Sequence, residues 1–198
     1  MFLTRSIKKA ALAAFLLICV GLLGVLSDKV VFAASFGASA ALAPKTVEKV
    51  DLDRYVGQWY EVARLPNRFQ DFCVANVNAN YRKLPSGSIE VVNRCLNEQG
   101  EVKEVIGEAR VVELSSKAKL EVRFAPSWLS WIPLVWGDYW VLHVEPDYSI
   151  ALVGSPDRQY LWVLARNPQL NRKAIEAMLE KAKAQGFAVD QVVMTTQK

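Results

Sequence analysis

The chain has 198 residues, 52% of them hydrophobic, with 24 Lys and Arg against 20 Asp and Glu, three Cys and one His. That length suits one domain and is short for several, and a single His excludes sites built on two imidazoles, such as the HExxH zinc-hydrolase motif. Of the formal charge of +4, residues 1–33 carry +3 (Arg5, Lys8, Lys9 and Lys29 against Asp28), while residues 34–198 hold 20 bases and 19 acids, so no folded basic patch points to nucleic acid.

The basic cluster at residues 5–9 precedes an uncharged apolar run from Ala10 to Leu26. Small residues follow in Val31-Phe32-Ala33 and Ala38-Ser39-Ala40, with the spacing a signal peptidase accepts, so residues 1–33 are expected to be a secretory signal. An uncleaved membrane anchor is the alternative, because about 17 apolar residues lie at the lower edge of what crosses a bilayer. Lipid attachment at Cys19 needs a small residue before the Cys; Ile18 stands there and argues against it. Export to an oxidising compartment permits disulfides. Cys73 and Cys95 then have one possible connectivity, two separate buried thiols being the alternative.

Residues 34–49 are rich in Ala and Ser without a periodic apolar face and are expected to be a flexible tether to a domain at 50–198. Short runs rich in Val, Ile, Tyr and Trp, bounded by Pro, Gly, Asp, Asn or Ser, then predict eight strands at 58–65, 74–83, 89–96, 102–112, 119–124, 137–144, 149–154 and 160–165. In the fourth, Glu104, Ile106, Glu108 and Arg110 share one face and Val105, Gly107, Ala109 and Val111 the other; in the fifth, Leu120, Val122 and Phe124 lie opposite Lys119, Glu121 and Arg123. The small residues on the inner face of the fourth strand leave room inside. Short links such as Pro85-Ser86-Gly87-Ser88 and Ser155-Pro156-Asp157-Arg158 favour an antiparallel meander. Eight such strands can close into a barrel holding one small ligand, an open sandwich being the alternative. After Asn167-Pro168 the period turns helical: Asn171 is a candidate N-cap, Ile175, Met178, Leu179 and Ala182 form an apolar stripe, and Gly186 a stop. This helix is expected to pack outside the barrel.

Gly57-Gln58-Trp59-Tyr60-Glu61 resembles the Gly-x-Trp motif of the lipocalins. Asp147-Tyr148 resembles their second motif, with Pro146 where Thr is usual, and Leu161-Trp162-Val163-Leu164-Ala165-Arg166-Asn167-Pro168 the third, whose Arg crosses the motif Trp at the closed end. The resemblance spans about residues 50–194. It implies an all-β, eight-stranded up-and-down barrel with a helix outside, and structural roles for Gly57, Trp59, Asp147, Tyr148 and Arg166. Trp136-Gly137-Asp138-Tyr139-Trp140-Val141 is most similar to the bacterial lipocalins, the subgroup related to apolipoprotein D and the plant temperature-induced lipocalins. That similarity implies a cell-envelope protein, in the periplasm or at the outer membrane, that binds a fatty acid, a lysophospholipid or a similar apolar ligand.

With the Trp59 end closed, as the resemblance implies, the loops at 66–73, 97–101, 125–136 and 155–159 gather at an open mouth. Phe69, Phe72, Trp128, Trp131 and Trp136 lie in or beside two of them, where such apolar surface must cover a ligand, a second copy in a homodimer, a membrane surface, or the barrel itself as a lid. The expected ligand contacts are these five residues together with Val105, Ala109, Leu120, Val122, Phe124, Tyr139, Val141 and His143. Cys73 and Cys95 both fall at the mouth. If Leu84 pairs with Ile89, Cys95 lies across from Asn78, and the first loop must fold back for a disulfide to clamp the mouth.

Catalytic groups are sparse. His143 is the one imidazole, no Gly-x-Ser-x-Gly elbow, CxxC or phosphate-cradling loop occurs, and no metal or cofactor is expected. Glu61 shares a strand face with Trp59 and, pointing inward, would need a polar partner. The leading expectation is a binding protein rather than an enzyme; the alternative is a lipocalin-fold enzyme acting on a lipid-like substrate.

Overall fold

The computed structural model describes residues 42–198; the expected signal, Cys19 and residues 34–41 of the expected tether lie outside the described residues. A four-residue helix, α1 (Leu52–Tyr55), leads into eight strands: β1 (Gly57–Arg64), β2 (Ala75–Lys83), β3 (Ile89–Leu96), β4 (Val102–Val111), β5 (Lys119–Arg123), β6 (Gly137–Val144), β7 (Ile150–Gly154) and β8 (Leu161–Ala165). Each strand pairs antiparallel with its sequence neighbours and β8 returns to β1, so the sheet closes into a barrel. Closure leaves no long unpaired edge and encloses an interior. Every strand expected from alternation is present, with ends within one or two residues.

The sheet carries apolar side chains on both faces. Inside lie Trp59, Ala79, Tyr81, Val91, Ala109, Leu120, Val141, Val153 and Leu164. Outside, the second helix, α2 (Arg172–Ala184), seats Ile175, Met178 and Ala182, with Phe187, on Leu142, Leu152, Leu161 and Val163. This double burial explains why β7 reads as an unbroken apolar run: all five of its residues are buried. The Asn171 side chain caps α2 by accepting from Lys173 N at 2.8 Å, and Gly186, at φ +86°, ends the helical region. On the outer face of β3–β5, where no helix packs, cross-strand pairs Arg94–Glu104, Arg110–Glu121 and Arg123–Glu108 replace apolar packing.

Two features depart from the expected tether and strand pattern. Residues 42–50 of the expected tether and its junction are laid along the barrel: Val47 N donates to Val141 O at 3.0 Å, Val50 N to Ser116 O at 2.8 Å, and Val50 is buried. At the other terminus a two-residue strand, β9 (Val193–Met194), pairs with Ala63 and Arg64 of β1. Its continuation bridges to β2, with Thr195 N donating to Val62 O, Asn76 N to Thr196 O, and Gln197 Nε2 to both Glu61 O and Val77 O. The last residues thus fill the seam between β1 and β2.

Candidate ligand site

The closed end is built on the β1 motif. Arg166 stacks over the fully buried Trp59 ring at 3.9 Å. Its Nη2 donates to the carbonyls of Arg54, Tyr55 and Val56, at 2.8, 3.0 and 2.9 Å, and its Nη1 to Gln58 O at 2.6 Å. One guanidinium therefore satisfies the carbonyls left free at the end of α1 while supplying a cation to the indole. Gly57 turns at φ +96°, and a Cβ there would sit 3.4 Å from Arg166 Nη1, so the motif glycine answers a backbone requirement. Trp59 Nε1 donates to Tyr55 O at 2.7 Å, and the Tyr148 hydroxyl accepts from Asp51 N at 2.8 Å, tying the Asp147-Tyr148 turn to the same floor. Asp147 accepts from Ser149 Oγ and N, which hold its carboxyl below the usual range.

Above this floor, α1, β2 and β6 each send in a tyrosine. The Tyr139 hydroxyl lies 2.8 Å from that of Tyr55 and 3.1 Å from that of Tyr81. Burial is the main cause that holds the Tyr81 hydroxyl up at about 12 and pushes Tyr55 and Tyr139 well above the ordinary value, so all three stay neutral. The wall around and above them is apolar: Leu120 lies opposite Tyr139, Val141 nearer the floor, and Ala109 and Val122 toward the mouth.

Toward the mouth the wall becomes polar on one side. Glu61, 3% exposed in its side chain, accepts from Arg64 Nη1 at 2.9 Å, Gln70 Nε2 at 2.7 Å and Thr195 Oγ1 at 2.5 Å. Gln70 Oε1 in turn accepts from Trp162 Nε1 and Asn67 Nδ2. A polar network thus joins the first loop, β1, β8 and the C-terminal segment. Beside it Phe69, Tyr160 and Trp162 form an aromatic ladder, with ring centres 5.1 and 5.9 Å apart. The disulfide between Cys73 and Cys95 holds the same loop to β3. β2 meets β3 with Lys83, not Leu84, opposite Ile89, and a register shift between Ala75 and Asn78 sets Ala75 against Leu96, which brings the two sulfurs within reach.

Sequence alternation misplaces two expected contacts. A bulge between Val141 and His143 sets His143 opposite Leu152, an outer-face residue; its Nε2 lies 3.1 Å from Glu145 Oε1, outside the barrel. Trp136 also lies outside, stacked beneath Arg110 at 4.0 Å and near Arg123, with Nε1 donating to Ser130 O. Val105, opposite Asn93, and Phe124 keep inner-face positions but are partly exposed. In the long mouth loop Trp128, Trp131 and Leu134 are 72%, 78% and 93% exposed, so this loop is not folded inward as a lid. Phe72 is half-exposed at the rim. Around Glu61 and the floor the fold brings Arg64, Gln70, Tyr55, Tyr81, Trp162 and Thr195 to the interior from separate segments, a convergence that no local sequence pattern signals.

A family profile described as Lipocalin-like domain matches residues 50–197. The chain is a lipocalin. It is 38% identical over 155 residues to temperature-induced lipocalin-1 of Arabidopsis thaliana, covering 77% of this chain and 82% of that one. It is 35% identical over 156 residues to the outer membrane lipoprotein Blc of Vibrio cholerae, covering 78% and 86%. Among solved structures, lobster apocrustacyanin A1 superposes with a TM-score of 0.58 at 17% identity, over 81% of this lipocalin and 93% of that chain, a likeness of fold alone. Lipocalins bind small hydrophobic ligands, and the apolar interior of this lipocalin, walled by β1–β8 and floored by Trp59, is built for that task.

Proposed function

We propose that this lipocalin carries or stores a fatty acid, a lysophospholipid or a similar single-chain lipid in the bacterial cell envelope, with the acyl chain in the barrel and the headgroup at the mouth. The observation that carries this reading is the polarity gradient along the interior: apolar wall below, the Glu61–Arg64–Gln70 network near the mouth. Burying the chain supplies about 0.8 kcal/mol per CH₂. The exposed Trp128, Trp131 and Leu134 suit contact with the headgroup region of a membrane, where Trp is favoured, at the moment of lipid transfer. A homodimer through the same loop is the second reading, supported by the same exposure. The envelope location is supported by the basic and apolar residues 1–33 and by the outer-membrane name of the Vibrio cholerae relative.

Native mass spectrometry of the full chain purified from cell envelopes, followed by lipid extraction, tests the reading. A single-chain lipid at one per barrel is expected, with Trp fluorescence changing on titration with fatty acid or lysophospholipid. Recovery of no lipid together with unchanged fluorescence would overturn it. Light scattering with and without vesicles separates membrane contact from dimerisation.

A further inference from the structure

The tyrosines above the Trp59 floor have a proton too many for their own hydrogen bonds. Three hydroxyls carry three protons, and two bonds join them, Tyr55–Tyr139 and Tyr139–Tyr81. Whichever way each bond points, one O–H is left over, and no other hydrogen bond of these hydroxyls occurs among the described residues. The surroundings supply no further acceptor: Trp59 lies 5.2 Å from the Tyr55 ring, Ala79, Leu120 and Val141 belong to the same buried cluster, and the one nearby charge, the Arg166 guanidinium behind Trp59, is a donor already committed to backbone carbonyls. A hydroxyl proton without a protein acceptor beside such an apolar wall is costly unless something within the barrel receives it, so the position favours an occupant that brings an acceptor.

Position within the barrel says which occupant. β2 and β6 lie four strands apart around the closed sheet, on opposite walls, yet the Tyr81 and Tyr139 hydroxyls meet across the interior. They form a crossbar across the barrel at the level of Leu120, with Tyr55 joined to it from the floor. We propose that the Tyr81–Tyr139 crossbar, backed by Tyr55, is a far-end subsite: a neutral hydrogen-bond donor for a lipid whose buried end carries a carbonyl or hydroxyl oxygen. This rests on the reading of the barrel as an acyl-chain site and names the kind of chain it prefers. Because burial keeps all three hydroxyls protonated, the subsite presents a donor with no charge to balance, which fits a ketone or alcohol oxygen and not a carboxylate. A carboxylate headgroup therefore stays at the mouth, and the oxygen in question belongs at the opposite end of the ligand.

The test compares two fatty acids of equal chain length, one ending in a plain methyl group and one with a ketone on the penultimate carbon, titrated into the lipid-stripped full chain. The keto acid is expected to bind about tenfold more tightly, since the apolar wall penalises an oxygen unless the crossbar receives it. In the triple variant Tyr55→Phe/Tyr81→Phe/Tyr139→Phe, which keeps all three rings and removes every hydroxyl proton of the cluster, the preference is expected to vanish or reverse while the methyl-ended acid still binds. Tyr55→Phe leaves the crossbar pair with its one free proton and is expected to keep the preference. Thermal unfolding checks that the variants are folded, and the wild-type comparison decides the matter without them. Equal affinity for the two acids, or a preference that survives in the triple variant, would overturn the subsite alone. Failure of the wild type to bind either acid would overturn the acyl-chain reading and the subsite with it.

Discussion

Phe124 occupies the space that a side chain on Gly107 would need: a Cβ there would lie 2.6 Å from the Phe124 ring and 2.6 Å from the Arg123 carbonyl oxygen. The small residue on the inner face of β4 is therefore not spare room for a ligand at that height. It lets the last inward residue after β5 fold across the wall. Gly107→Ala is expected to destabilise the barrel by about 1–3 kcal/mol through overpacking, read as a lower urea midpoint with unchanged slope. An unchanged midpoint would mean that ring and backbone both yield without cost.

Arg166 serves the floor twice, as cation over Trp59 and, through its two Nη atoms, as donor to four carbonyls. Arg166→Met keeps much of the apolar stem but leaves those carbonyls without their donor. A loss of about 2–3 kcal/mol is expected, together with a change in the near-ultraviolet circular dichroism of the buried indole. Lys at this position should recover only part of the loss, because one ammonium cannot span the four acceptors.

Removal of one member of the Glu61–Arg64 pair should cost more than removal of both. Arg64→Met leaves a carboxylate buried with only Gln70 and Thr195 as donors, and a loss of about 3–5 kcal/mol is expected. In Glu61→Gln/Arg64→Met the uncompensated charge is gone, and part of the stability should return. A double-mutant cycle by chemical denaturation measures the coupling; strictly additive losses would show that the pair is not a unit.

The disulfide closes a loop across a sequence separation of 22 residues. Replacing both Cys73 and Cys95 by Ser is expected to cost about 3 kcal/mol on loop-entropy grounds. The first loop, freed from β3, should also let a bound fatty acid exchange faster, which stopped-flow displacement would reveal. Equal exchange rates would indicate that the bonds of Gln70 to Glu61 and Trp162 hold the loop without the disulfide.

The tyrosine cluster sets an alkaline limit. Its hydroxyls are held above the ordinary value of 10.0, that of Tyr81 at about 12, so above pH 10 the unfolded chain loses tyrosine protons that the folded chain retains. With fewer protons bound in the unfolded state, stability is full below pH 10 and falls as pH rises, by about 1.4 kcal/mol per pH unit for each tyrosine involved. Denaturation at fixed temperature across pH 9 to 12 should show this slope, and Tyr81→Phe/Tyr139→Phe should flatten it.

Strand positions and the outer helix were legible because one-sided burial writes a period of two or of 3.6 into the sequence. Faces were legible only as far as the alternation ran unbroken. One bulge at Val141/His143 moved the sole imidazole outside, and another between Glu61 and Ala63 put Ala63 on the helix side while Arg64 stayed opposite Trp162. Trp136 belongs to the outer wall because guanidiniums on β4 and β5 offer it a cationic platform, which hydrophobicity alone does not reveal. β9 left no signal: two residues, both exposed, cannot show a period. Tyr55 precedes the first strand by two residues and reaches the interior only because α1 turns it inward.

The seam between β1 and β2 is filled by Val193–Met194 and the residues after them. During synthesis those residues follow all eight strands of the barrel. A ribosome carrying every other strand still holds a barrel whose wall is unfinished beside Glu61, since Thr195 and Gln197 have yet to supply their donors. The container's wall therefore closes only after residues 193–197 have been made, so a nascent chain that already carries all eight strands still presents an open seam in which a ligand cannot be held as it is in the finished barrel.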